Sequence, residues 1–318
     1  MIVVTGAAGF IGSQFISTLN QEGFNDIILV DDFTKVEKKG NYSDLVYTGK
    51  IERSAFPKWL KDNENQVQFV FHLGARADTA ETNIELLNEL NLDYSKTVWK
   101  LCVEYGLALV YASSAATYGD GAYGYLDSHD IVFNLQPLNP YGDSKNEFDK
   151  WVLQQERKPY FWAGLKFFNV FGPGESHKNR MASVVLHTFR QVSETGRMKL
   201  FRSHNPKYKD GEQSRDFVYV KDVCRVCFYM MINRLTTQSG LYNLGSGKAR
   251  TFFDLVSATI KSMGVAPRIE FIDTPEDIRD NYQYFTEADL SKLRASGYTE
   301  EFTSLEDGIK DYVENYLL

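Results

Sequence analysis

The stretch Ile2-Val3-Val4-Thr5-Gly6-Ala7-Ala8-Gly9-Phe10-Ile11-Gly12 decides the fold. Ile2 to Val4 is a β-branched run of the kind that makes a buried strand. It stops at Thr5-Gly6, and helix-compatible sequence resumes at Phe10-Ile11. Gly6, Gly9 and Gly12 fall at the turn and in the first helical positions. There glycine permits a tight bend and lets the backbone approach a pyrophosphate at a helix N-terminus. A glycine triplet alone is an ordinary turn. This one follows a strand, opens a helix and lies about 20 residues before an acidic residue, Asp31, at the end of a second strand, which is the context of a dinucleotide fingerprint. The stretch therefore predicts a dinucleotide cofactor.

Outward from it, buried strands are expected at 27–30, 67–73, 107–111 and 163–168, with a weaker one at 45–47. Helices are expected at 10–21, 54–62, 84–105 and 140–155, and residues 35–44 read as loop. Strands alternating with helices at this spacing predict an α/β fold, a doubly wound parallel sheet of Rossmann type covered on both faces. Ligands of such sheets bind beyond the carboxyl ends of the strands, and Gly6, Asp31, Gly74 and Ser114 all sit at such ends. Beyond residue 169 the pattern loosens. Helices at 181–193, 252–263, 287–295 and 304–316, strands at 199–201, 217–220 and 240–244, and a charged insertion at 202–214 suggest a smaller lid domain. Its strands partly return to the sheet.

Composition narrows the class. The 318 residues carry 43% hydrophobic and 24% charged side chains and a net charge of -7, an ordinary soluble composition that argues against a nucleic-acid partner. No run approaches a membrane span and no signal peptide is recognisable, so a cytoplasmic protein is expected. Cys224 and Cys227 have C-x-x-C spacing, but they lie in an apolar, helix-compatible run with no second ligand pair. They read as buried helix residues, and no metal is expected.

Tyr141 and Lys145 are four apart on an expected helix and share a face. A tyrosine ordinarily titrates near ~10, and a neighbouring ammonium favours its phenolate. The pair therefore has the parts of a general acid/base acting on an alcohol, with Ser114 at a strand end able to hold the same oxygen. Y-x-x-x-K by itself is common on solvated helices; the upstream fingerprint gives it weight.

TGAAGFIG, SSAATYG and YGDSK together resemble the extended short-chain dehydrogenase/reductases that act on sugar nucleotides. YASSAATYG, PLNPYGDSK, FFNVFGP, HKNRMASV, RDFVYVKDV and YQYFTEADL, spread from Met1 to about Ala295, closely resemble the ADP-L-glycero-D-manno-heptose 6-epimerases. The resemblance implies a dinucleotide-binding domain of residues 1–168 and 217–248, interleaved with a substrate domain of 169–216 and 249–318. It also implies a cytoplasmic homo-oligomer, a pentamer in the family, making a lipopolysaccharide inner-core precursor. In the implied chemistry, tightly held NADP+ oxidises C6 of the heptose while Tyr141 takes the hydroxyl proton. The transient ketone then regains hydride on its other face, and Lys178 serves the oxygen in its second position. Family cofactor positions match Gly6, Gly9, Phe10, Ile11, Gly12, Asp31, Asp32, Lys38, Arg53, Leu73, Gly74, Ala75, Arg76, Ala77 and Asn91, besides Tyr141 and Lys145. Substrate positions match Ser114, Asn169, Val170, Lys178, Arg180, His187, Phe201, Arg202, Ser203, His204, Arg215 and Tyr282, with Arg215 suited to the diphosphate of an ADP-sugar. Without the resemblance, Lys178 reads as a solvated charge, His187 as a core histidine and Phe201 as packing.

The chain also departs from the family pattern. Asn179-Arg180 replaces the usual Gly-Ser of H-K-G-S-M-A, an insertion occupies 206–213, and LGARA stands where an EGA-type sequence is usual. Asp31 alone would select NAD by binding ribose hydroxyls; Lys38 and Arg53 match positions that attend a 2′-phosphate, so NADP is expected, with NAD as the alternative. Among rival readings, a 4,6-dehydratase needs acidic groups where Ala115-Ala116 stand. A 4-epimerase needs no base at Lys178, and a non-catalytic nucleotide sensor has no use for Ser114, Tyr141 and Lys145. A net reductase would consume NADPH stoichiometrically.

Overall fold

A computed structural model describes residues 1–279 and 282–318. In chain order its first half runs β1 (Ile2–Thr5), α1 (Phe10–Gln21), β2 (Ile27–Asp31), β3 (Gly49–Glu52), α2 (Phe56–Asn63), β4 (Phe69–His72), α3 (Ile84–Leu87), α4 (Tyr94–Glu104), β5 (Ala108–Ser114), α5 (Pro140–Gln154) and β6 (Trp162–Phe167). The second half runs β7 (Asn169–Phe171), α6 (Val184–Thr195), β8 (Arg197–Phe201), β9 (Ser214–Tyr219), α7 (Val220–Ile232), β10 (Gly240–Leu244), β11 (Ala249–Thr251), α8 (Phe252–Ser262), β12 (Arg268–Ile272), α9 (Glu276–Arg279), α10 (Ser291–Ala295) and α11 (Leu305–Tyr312).

Seven parallel strands form one sheet in the order β10-β6-β5-β4-β1-β2-β3. β1, β2, β4, β6 and β10 are buried along their whole length, as strands covered on both faces must be. On one face Phe15, Ile16 and Leu19 of α1 share a core with Val223, Cys224, Cys227 and Met230 of α7. On the other, Phe56 and Leu60 of α2, Val98, Trp99 and Cys102 of α4, and Phe148 and Val152 of α5 pack together. The three cysteines are buried and unpaired, and burial pushes the Cys224 thiol up to about 12, so they are inert packing groups. Chain order reverses between β1 and β4. The carboxyl ends of β1, β2, β4 and β5 open there, at the kind of switch point where ligands of such sheets bind.

Several expected elements move. The strand expected at 45–47 is instead β3. It is a half-exposed edge strand, Gly-Lys-Ile-Glu, whose charges suit a sheet edge and hide its pattern. The helix expected at 84–105 is broken by a π-helical turn at Asn88–Asp93, which turns Asn91 inward. Only Ser291–Ala295 of the expected 287–295 helix is helical, because Glu287 and Ala288 bond instead to Ala249 and Asp216. The strand containing Phe217 to Tyr219, expected with the dinucleotide-binding half, pairs outside the main sheet. It joins β7 and β11 in a three-stranded sheet, while β8 pairs with β12. β7, β11 and β12 have no counterpart in the sequence reading. Among the described residues no helix is long and apolar enough to cross a membrane, and no three acidic, histidine or cysteine side chains group to hold a metal.

Candidate active site

The glycine turn is built by contact. Gly6 has φ +69°, and a Cβ there would lie 2.6 Å from the Gly74 backbone; a Cβ on Gly12 would lie 2.1 Å from the Gly6 carbonyl oxygen. The first and third glycines therefore let β1, α1 and the loop after β4 close on one another. α1 starts with no side-chain cap and no acidic residue in its first turn. Its end is left with unpartnered N–H groups and a positive dipole beside a cavity lined by Phe10 and Ile11. A dinucleotide pyrophosphate fits that end.

Asp31 is buried at the end of β2. One carboxylate oxygen accepts from Ala8 N at 2.9 Å, the other from Asp32 N at 2.8 Å and from the Lys38 ammonium at 2.9 Å. Asp31 thus braces the glycine loop and already carries a cation. Asp32 is held below its usual pKa, chiefly by the Thr34 hydroxyl. Arg53 N donates to the Asp31 carbonyl at 2.9 Å. Asp31, Asp32, Lys38 and Arg53 gather outside the cavity wall, at the ends of β2 and β3.

Leu73, Ala75 and Ala77 line the cavity. Gly74 faces Gly6, and Arg76 points outward to Asp78 and Glu81. Asn91 is fully buried: its oxygen accepts from Arg76 N at 2.8 Å, and its amide donates to the Arg76 carbonyl and to the Ser144 hydroxyl. It shapes the loop from behind, off the wall. His72 stands beneath. Its Nε2 lies 2.8 Å from the Ser95 hydroxyl, which donates to the Asn91 carbonyl, and its Nδ1 lies 2.7 Å from the Thr5 hydroxyl. Burial, and the Lys145 charge after it, push the imidazole down to about 3, so it is neutral.

One cavity of about 1580 Å³ unites the expected reactive groups: Ser114, Tyr141 and Lys145 from β5 and α5, Lys178, Arg180 and His187 from the stretch that leads into α6, and Phe201, Arg215 and Tyr282 from the second half of the chain. Asn139 and Pro140 fix where α5 begins. The Asn139 side chain accepts from Gly142 N at 2.9 Å and Pro140 takes the first helical position, which places Tyr141 and Lys145 in the opening turns. The Lys145 ammonium donates to the Ala112 carbonyl at 2.8 Å, and burial lowers it to about 8. Burial raises Tyr141, and the nearby Ser114 hydroxyl pulls it partly back.

Lys178 lies in a 3-10 turn (Ser176–Met181), with its ammonium 5.5 Å from the centre of the Phe10 ring. Burial lowers its pKa, and buried Glu175 opposes that shift. Glu175 itself is raised by burial and receives the Ser183 hydroxyl at 2.6 Å. Asn179, in place of the family glycine, sits at φ +49°, ψ -120°, a conformation that favours glycine. Arg180 reaches across to Asp78 at 3.4 Å, and its carbonyl oxygen lies 3.2 Å from His187 Nε2. Asn169 and Val170 also line the cavity.

Arg215 is 6% exposed, with its guanidinium 5.5 Å from the Tyr282 ring centre and 5.7 Å from that of Phe252. It donates to the Ser214 carbonyl at 3.0 Å, and no carboxylate among the described residues pairs with it. Such a cation suits an anionic ligand. Arg202, Ser203 and His204 lie off the wall. Arg202 pairs with Asp210 and Asp273, Ser203 bonds Asn205 and Asp210, and His204 accepts from Thr274 N at 3.2 Å, so the three tie the insertion to itself and to the residues just after β12.

The sequence reading missed three groups. Asp149 and Lys166 form a buried pair at 2.7 Å behind Lys145. Asn41 donates within 3.1 Å to the Ala8 and Gly174 carbonyls and lies 3.1 Å from His177 Nδ1, joining the glycine loop to the Lys178 turn. Lys166 left a signal, a lysine inside the apolar run Trp162 to Phe168; Asn41 left none.

The fold and this wall define a nucleotide-sugar enzyme of the extended Rossmann type, and residues 2–245 match the NAD dependent epimerase/dehydratase family, to which the chain belongs. Within it, the chain is 47% identical to the ADP-L-glycero-D-manno-heptose-6-epimerase of Fusobacterium nucleatum, covering 100% of this chain and 98% of that one. It is 44% identical to the enzyme of the same name from Nitratidesulfovibrio vulgaris, again over 100% and 98%. Among solved structures, the Helicobacter pylori ADP-L-glycero-D-manno-heptose-6-epimerase superposes with a TM-score of 0.80 at 28% identity, covering 98% of this chain and 94% of that one. The Thermus thermophilus UDP-glucose 4-epimerase in complex with NAD gives 0.77 at 25% identity, covering 98% and 97%.

Proposed function

We propose that the protein inverts C6 of the heptose in ADP-D-glycero-D-manno-heptose, giving the L-glycero epimer for lipopolysaccharide inner-core synthesis. The observation that carries this reading is one cavity lined both by Tyr141 and Ser114 and by a second, partly desolvated base, Lys178, which comes from a separate turn. A bound nicotinamide dinucleotide supplies reversible hydride acceptance at this site. The chain's own groups handle the protons and the sugar. Ser114 holds the C6 oxygen, and Tyr141 takes its proton as the alcohol becomes a ketone. Lys145 supplies the positive charge that favours the phenolate. When the ketone turns over, its oxygen comes to Lys178, which donates the proton that completes the inverted alcohol. Arg215, stacked between Tyr282 and Phe252, receives the diphosphate.

The cofactor we propose is NADP. Asp31 has given its oxygens to Ala8, Asp32 and Lys38, so it offers less repulsion to a 2′-phosphate than an unpaired carboxylate would, and Lys38 and Arg53 stand close by. NAD remains compatible with the same shelf. The resemblance to the heptose epimerases also implies a cytoplasmic location and a homo-oligomer, the second of which sedimentation would measure. Function is tested by incubation with the ADP-sugar and NMR at C6, where inversion is expected without net NADPH release. Absence of inversion, with turnover of a UDP-hexose at C4 instead, would favour a 4-epimerase.

A further inference from the structure

The end of β5 is tied residue by residue to one face of α5. Tyr111 donates its hydroxyl to Asp149 Oδ1 at 2.9 Å, and Ser113 donates to Asp149 Oδ2 at 2.6 Å. Between them the Ala112 carbonyl accepts from Lys145, and the next residue is Ser114. On α5, Tyr141, Lys145 and Asp149 follow at four-residue steps along the same stripe. A third element closes the arrangement. Lys166 of β6 donates to Asp149 Oδ2 at 2.7 Å and to the Thr117 hydroxyl at 2.8 Å, and Thr117 donates to the Ser114 carbonyl at 2.8 Å. Lys166 is 1% exposed and Asp149 0%.

Burying an ion pair this completely costs desolvation that its attraction barely repays, so packing alone gives no reason for it. Its placement does. From one point it reaches the strand that carries Ser114, the turn that follows Ser114, and the helix that carries Tyr141 and Lys145. We infer that Asp149 and Lys166 are positioning residues for the Ser114, Tyr141 and Lys145 constellation, fixing its geometry and the field in which Lys145 keeps its proton. The inference rests on the catalytic reading of that trio proposed above.

Lys145, one turn along α5 from Tyr141, feels Asp149 on the same helix and acts on His72 on β4; behind them Tyr111 on β5 and Lys166 on β6 bond to Asp149, and the Lys166 ammonium lies 5.1 Å from the Tyr118 ring centre. His72 is neutral across the working range, and Tyr111 is pushed far above it. The pair is therefore the fixed charge of the surroundings, and its two members act on Lys145 with opposite sign. Asp149 favours the ammonium; Lys166 opposes it.

The test is the pH profile of kcat for epimerisation in Asp149→Asn, Lys166→Met and the double variant. In Asp149→Asn the alkaline limb, where Lys145 loses its proton, moves down by about one pH unit or more. In Lys166→Met it moves up, and in the double variant it returns toward the parent position. Asp149→Glu, which keeps the charge, leaves the limb at the parent position, and Lys166→Met carries the test if Asp149→Asn does not fold. A purely structural pair would lower kcat and melting temperature with the limb unmoved, or move it the same way in both single variants. Either result overturns the inference. Tyr141→Phe run alongside separates the two readings. Full turnover in Tyr141→Phe removes the catalytic assignment, whereas loss of turnover there with unmoved limbs elsewhere removes this inference alone.

Discussion

Replacing Arg215 by methionine should weaken substrate binding without lowering folding stability. Arg215 is 6% exposed and donates only one hydrogen bond, to the Ser214 carbonyl, among the described residues. Burial lowers its pKa, yet guanidinium stays charged at working pH. In the free protein its compensation is the stacking of Phe252 and Tyr282, worth about 0.5–1 kcal/mol for each ring. A diphosphate would add charge-assisted hydrogen bonds worth about 1.5–3 kcal/mol each. Methionine keeps the length and packs against the same rings. The lost contact to substrate then amounts to about 3 kcal/mol, or roughly a hundredfold rise in KM for the ADP-sugar. NADP affinity should not change, because Arg215 stands on β9, outside the seven-stranded sheet whose strand ends carry the glycine turn. The free protein should melt at the same temperature or slightly higher, since replacing a buried charge that has no carboxylate partner among the described residues by a hydrophobe is neutral or stabilising. Steady-state kinetics, a cofactor titration and a thermal melt read all three. A parent-like KM, or a KM rise matched by an equal loss of NADP affinity, refutes the reasoning.

Other parts of the site yield their own tests. Gly12→Ala places a methyl 2.1 Å from the Gly6 carbonyl oxygen, with only backbone to yield; a destabilisation of about 1–3 kcal/mol is expected with loss of cofactor binding, read by melt and titration. Lys38→Ala leaves Asp31 without its cation, so NADP affinity should fall about tenfold more than NAD affinity, measured by fluorescence titration. His72, pushed down to about 3 from an ordinary 6.5, binds a proton more readily when unfolded. Stability is therefore fully present above pH 6.5 and falls as pH drops toward 3, by about 2 kcal/mol at pH 5, and His72→Asn should flatten that slope in urea melts at pH 7 and 5. Lys178→Ala should abolish inversion at C6 while NADP still binds; unchanged inversion would remove the second base.

Much of the fold was legible because its central strands are buried on both faces and read as plain apolar runs. The start of α5 was written in Asn139-Pro140, a cap followed by a residue suited to the first helical position. The small sheets were not legible: β7, β11 and β12 are short and half-buried, and their pairings join residues far apart in sequence. In the site, four-residue spacing placed Tyr141 with Lys145, and Asp149 one step further along was readable by the same rule. What the spacing could not give was the partner Lys166, which arrives from another strand. Arg202, Ser203 and His204 failed to reach the wall for a local reason, since Asp210 within the insertion takes both Arg202 and the backbone of Ser203. The π-helical turn that brings Asn91 behind the cofactor loop left no periodic signature.

The central claim is that one cavity removes and returns the same hydrogen at C6 while Tyr141 and Lys178 serve the oxygen in its two positions. NMR of ADP-D-glycero-D-manno-heptose incubated with the protein in deuterated water tests it most directly. The account predicts inversion at C6 with protium retained there and no net NADPH released. Deuterium appearing at C6, or no inversion at all, would contradict it.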